Sequence, residues 1–105
     1  MDFKNLLAII KVESDRLIKY FPCDGMDKET YARSVKLVEE VGELFSEILK
    51  HSSLQRKEKI VKGADDLSEE FADVIITTLL LAERMNINIG KALEKKIKKI
   101  QKRKY

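Results

Sequence analysis

The sequence predicts an all-α protein, a four-helix bundle-like fold. Glycine and proline are scarce, 4 and 1 in 105 residues, which argues against the many turns of a sandwich or barrel. Apolar residues recur at helical spacing along successive segments, as in helices with one buried stripe. Hydrophobic residues make up 44% and charged residues 37% of the chain, a globular composition that excludes disorder. At roughly 100–200 residues per domain, the whole of 1–105 is expected to be one domain with a limited core.

The elements follow in order. Asp2 caps a first helix over about 3–20, with Phe3, Leu6, Leu7 and Ile10 on one stripe. The run from Phe21 through Pro22 to Gly25 breaks it. Asp27 is placed to cap a second helix over about 28–50. Ser53 starts a short helix that Gly63 ends. Asp66 and Glu69 have capping-box spacing and open a third main helix that runs to about Met85. Asn86 and Asn88 mark a turn, and Asn88 caps a fourth helix over about 89–103, with Ile89, Leu93, Ile97 and Ile100 as its apolar line.

One cysteine, Cys23, excludes an internal disulfide and fits a reducing compartment. Cys23 and the methionines are read as packing residues. The first apolar stretch, residues 6–10, is interrupted at once by Lys11, Glu13, Asp15 and Arg16, unlike a cleavable leader. Residues 71–82 carry one charge but fall short of the ~20 residues of a membrane span. A cytoplasmic protein with no membrane partner is expected. Residues 91–105 hold eight Lys or Arg and one acid, Glu94, whereas residues 1–90 hold 13 basic and 17 acidic groups. A basic tail on an acidic body suits either a solvated helix face or an anionic ligand.

The carboxylates carry more information. Glu39, Glu40, Glu43 and Glu47 fall within an arc of about 100° on the second helix, with Leu37, Val38, Val41, Leu44, Phe45, Ile48 and Leu49 on the opposite side. Alone, this is an amphipathic helix with a wet acidic face. Yet like charges at these spacings repel by a few tenths of a kcal/mol each, and Lys36 supplies a single nearby charge. Residues 71–82 of the third helix are apolar nearly all round, which predicts burial, and Asp73 is their only charge. Glu70, Asp73 and Thr77 form a polar strip along it. A buried carboxylate pair needs a Lys, an Arg or a metal ion. Oxygen-only ligation would select Mg²⁺, Mn²⁺ or Ca²⁺. A di-iron site is disfavoured, since the only histidine, His51, has Ile48 three residues before it. His51 is read as a helix-terminal surface residue.

Lys36-Leu-Val-Glu-Glu-Val-Gly-Glu-Leu44, followed by Glu69-Glu-Phe-Ala-Asp-Val-Ile-Ile76, resembles the paired acidic motifs of the MazG-like nucleotide pyrophosphohydrolases. These belong to the all-α NTP pyrophosphatase superfamily. Asn88-Ile-Gly-Lys-Ala-Leu-Glu-Lys-Lys96 extends the resemblance, which covers about residues 30–103. It implies Mg²⁺-dependent hydrolysis of a nucleoside triphosphate to monophosphate and pyrophosphate, with Mn²⁺ as a substitute. The implied metal ligands are Glu40, Glu43, Glu70 and Asp73, and Glu39 occupies the motif's first, more variable position. Lys96 and Arg103 match basic positions that meet phosphates in relatives, and Thr77 sits where some relatives carry a larger base-contacting side chain, which leaves base selection open. Ile100 departs from the family, where Asn is common.

On that reading the metal reverses the repulsion between carboxylates and triphosphate and activates a water for attack at the α-phosphorus. Lys36, Lys96 and Arg103 would stabilise the leaving charge. A third helix that is apolar all round also needs a cover, and a second copy is the simplest. The resemblance implies a dimer or a dimer-of-dimers tetramer. Beside a helical partner protein such as a regulator or antitoxin, for which nothing in the sequence is diagnostic, two alternatives stay open. One is a phosphoribosyl-ATP pyrophosphatase of the same superfamily. The other is a non-enzymatic module binding nucleic acid through residues 91–105, which Tyr105, the only aromatic in that tail, equips poorly for base stacking.

Overall fold

The computed structural model describes residues 1–22, 24–52 and 64–105. Cys23 and the short helix expected between Ser53 and Gly63 lie outside the described residues. Those residues form four helices and no strand: α1 (Phe3–Tyr20), α2 (Met26–His51), α3 (Ala64–Arg84) and α4 (Ile89–Gln101). The all-α class is as expected. No helix among the described residues is long and apolar enough to cross a membrane.

Two caps form as their residues predict. Asp2 accepts a bond from the Asn5 amide at 2.8 Å, and Asn88 accepts one from the Lys91 amide at 3.1 Å. Each satisfies one of the donors that a helix start leaves unpaired. The other two expected caps do not form. Gly25 is the N-cap of α2, at φ 107°, a conformation glycine adopts freely. The chain therefore enters the helix earlier, and Asp27 lies in its first turn, where a carboxylate favours the positive end of the helix dipole. Helix α3 is already under way at Ala64, so Asp66 lies inside it. Asn86, at φ 58°, makes the turn into α4.

Helix α3 is the hub on which α1 and α2 pack, while α4 rests lightly on it. Both α1 and α2 run antiparallel to α3. Lys11 pairs with Glu83 at 3.2 Å, while Leu7 and Phe3 reach Gly90 beyond the end of α3. On α2, Glu29 pairs with Arg84 and Glu43 approaches Glu70. The three helices meet at Arg33. Its guanidinium donates to Ser14 Oγ and to the Leu80 carbonyl, each at 2.9 Å, and to the Ser14 carbonyl at 3.2 Å. Burial pushes this guanidinium below its ordinary range, and the neighbouring Glu29 charge acts against that shift.

The orientation of α2 overturns the expected wet acidic face. Glu40 is 7% exposed and Glu47 is 3% exposed, and both flank the buried Leu44. Val38 and Phe45, placed by sequence on the inner side, are 71% and 60% exposed. Positions 33, 37, 40, 44 and 47 form one inward seam at alternating spacings of about three and four. Its charges are met within the structure, Glu47 by Lys50 at 3.1 Å and Glu40 by Lys36 at 3.2 Å.

The expected burial of α3 is also corrected. Leu79 is buried, but Ile75 is 55% exposed and Asp73 is exposed. α1 and α2 cover only part of its circumference, which leaves these positions open. Ile10, Leu44 and Leu79 are the buried apolar side chains among the described residues. The radius of gyration is 16.7 Å, against ~13 Å for a compact domain of this size.

Candidate metal centre

The antiparallel register of α2 and α3 brings the two acidic motifs together. One oxygen each from Glu40, Glu43 and Glu70 lies within 4.8 Å of the others. Glu40 is buried, Glu70 half-buried and Glu43 exposed, so the cluster opens from the α2–α3 interface toward solvent. Glu40 Oε2 and Glu70 Oε2 are buried and accept no hydrogen bond. Buried carboxylate oxygens in that condition are costly unless a cation meets them.

The charges in the cluster perturb one another. The Glu43 carboxyl is held above its ordinary range, first by the Glu40 charge, then by desolvation and by Glu70. The relief present within the chain comes from Lys36, 3.2 Å from Glu40 Oε1 and 3.6 Å from Glu39 Oε1. Its hydrogen bond to Glu40 is the main cause that raises the Lys36 ammonium above the usual lysine range. Three converging carboxylates with no nitrogen or sulfur donor form a hard-oxygen set, which suits Mg²⁺, Mn²⁺ or Ca²⁺.

The remaining sequence-derived candidates divide. Glu39 is exposed beside Lys36. Asp73 lies one turn beyond Glu70, exposed and outside the three-residue cluster. Thr77 is half-buried, and its hydroxyl donates to the Asp73 and Val74 carbonyls of its own helix. Lys96, on α4, and Arg103, just beyond it, are exposed. Among the described residues neither is paired with a carboxylate of the cluster. His51 ends α2 and is exposed, as expected.

Two features were not read from the sequence. One is the buried ion pair of Glu29 with Arg84, beside Arg33. The other is a cavity of about 250 Å³ between α1 and α2, lined by Leu17, Ile18, Phe21, Ala32, Arg33 and Lys36 together with Glu29. The seam spacing from Glu29 through Arg33 to Glu40 held a signal for the first. The second depends on how α1 meets α2, which no local pattern encodes.

The fold and site define an all-helical protein whose facing helices present a carboxylate cluster fit for a hard divalent cation. A family model for the MazG nucleotide pyrophosphohydrolase domain matches residues 28–105. The match spans both acidic motifs and most of the chain, and the protein belongs to that family. No curated protein and no solved structure matched the chain.

Proposed function

We propose that this chain hydrolyses a nucleoside triphosphate, ribo or deoxyribo, to the monophosphate and pyrophosphate, with Mg²⁺ as the cation and Mn²⁺ as its substitute. The observation that carries the reading is the convergence of Glu40, Glu43 and Glu70 oxygens within 4.8 Å, two of these residues keeping a buried, unbonded oxygen. These three carboxylates hold the cation, and Asp73, one turn along the same stripe, joins them from solvent. The cation supplies charge neutralisation at the phosphates and an acidified water. Glu39 faces solvent beside Glu40, where it orients water. Lys36 stands at the edge of the cluster, within reach of phosphate charge. Lys96 and Arg103 complete the phosphate contacts, and Thr77 borders the base.

The working form is a homo-oligomer, in the cytoplasm. Val38 and Phe45 on α2 and Ile75 on α3 form exposed apolar surface that a second copy would cover. A sedimentation mass equal to the 12.2 kDa monomer at micromolar concentration would refute this.

The deciding assay is a panel of canonical and modified NTPs and dNTPs plus phosphoribosyl-ATP, with Mg²⁺, with and without EDTA. Monophosphate and pyrophosphate are scored separately from orthophosphate. The expected result is monophosphate plus pyrophosphate, abolished by EDTA and by Glu43→Ala. Turnover of phosphoribosyl-ATP alone would move the protein to the histidine-pathway branch of the superfamily. No turnover, with salt-sensitive binding of DNA or RNA, would favour the exposed basic α4 as a nucleic-acid surface instead.

A further inference from the structure

Lys36 is the one cation paired with the cluster among the described residues, and its pairing is weak by construction. It precedes Glu40 by four residues, the less favourable order for a helical ion pair. Its side chain is 54% exposed, so solvent and salt screen the contact. It engages Glu40 through Oε1, leaving Oε2 without a hydrogen bond.

We propose that Lys36 is a placeholder for the divalent cation, an inference that rests on the metal-dependent reading above. While the cluster is empty, the Lys36 ammonium neutralises Glu40. Once Glu40, Glu43 and Glu70 share a divalent cation, the ammonium faces two positive charges a few ångströms away and is repelled. The lysine stem can follow, because it already lines the open cavity between α1 and α2. Within that cavity the one carboxylate, Glu29, is held by Arg84. The other anion beside the ammonium, Glu39 at 3.6 Å, is exposed and its pairing is screened by solvent, whereas a triphosphate brings about four negative charges. Lys36 thus exchanges a carboxylate for a phosphate. Loading the cation prepares the phosphate site, and the two ligands bind cooperatively.

The exchange has a signature of opposite signs that a merely structural lysine would not show. Lys36→Gln removes the cation's competitor and also the phosphate's donor. Mn²⁺ binding without nucleotide, read by calorimetry, is expected to tighten by about two- to fivefold, the strength of an exposed ion pair. Binding of a non-hydrolysable α,β-imido nucleoside triphosphate at saturating Mn²⁺ is expected to weaken by about fivefold or more. Unchanged or weaker Mn²⁺ binding overturns the exchange, and so does unchanged nucleotide affinity. Glu43→Gln separates the two levels. If Mn²⁺ binds the wild type but not Glu43→Gln, while Lys36→Gln matches the wild type, the metal centre stands and the exchange fails. If the wild type binds no Mn²⁺, the metal centre itself fails.

Discussion

The α2–α3 interface buries carboxylate at both ends and treats it in two ways. At one end Glu29 meets Arg84, with Arg33 tying α2 to both neighbours. At the other end Glu40 and Glu70 face each other and Glu43, with Lys36 reaching in from the rim. The same two helices and the same residue type thus give a closed ion pair and an open charge imbalance. A buried carboxylate answered by an arginine of its own chain is part of the scaffold. One that faces other carboxylates is, on the proposed reading, half of a site whose second half comes from outside. The difference separates stability from function along a single interface.

Several experiments press on that contrast. The largest effect belongs to the closed end. Arg84→Met leaves Glu29 buried without its partner and is expected to lower unfolding free energy by about 3–5 kcal/mol, read from the denaturant midpoint. An unchanged midpoint would erase the distinction between the ends. At the open end the cation should add stability instead. Mn²⁺ at 100 times its dissociation constant is expected to stabilise the wild type by about 2.7 kcal/mol. Glu43→Gln should lose that gain together with roughly 100-fold or more of turnover. Asp73 sharpens the boundary of the site. Being exposed, Asp73→Asn should keep wild-type stability within about 0.5 kcal/mol while losing Mg²⁺-dependent turnover. Near-wild-type turnover would confine the site to three carboxylates.

The smallest effect is in the pH dependence of the cation-free protein. The Glu43 carboxyl is held above its ordinary range by its neighbours, so the folded state binds its proton more tightly than the unfolded chain. Its contribution to stability is present in full below the usual glutamate range and is lost as pH rises through the raised folded value. The wild type should therefore lose stability relative to Glu43→Gln across that window in EDTA. With Mn²⁺ bound, the order should reverse.

Much of this was legible in the sequence. Residue spacing placed four helices, and Asp2 and Asn88 announced two of their starts. The acidic motifs named Glu40, Glu43 and Glu70. What was not legible is which face of α2 points inward. Periodicity reports that a helix has two unlike faces, and the usual rule turns the apolar one in. Here the inner seam carries Arg33, Glu40 and Glu47 beside the buried Leu44, because α1 and α3 meet the arginine and Lys36 and Lys50 of α2 itself meet the glutamates. Asp73 was misplaced for a related reason. An apolar helix signals that something covers it, without saying whether the cover belongs to the same chain. Gly25 shifted the start of α2 through its backbone conformation, which capping residues alone do not encode.

Arg33 bears on how the chain reaches this arrangement. Its bonds join residues 19 and 47 positions apart, so they form only after long loops have closed. Single helices appear within about a microsecond, well before such distant groups meet. Arg33 is then a late fastener. Replacing it should quicken unfolding and leave the refolding rate nearly untouched. The protein's persistence against transient opening would thus rest on a side chain that plays little part in getting it folded.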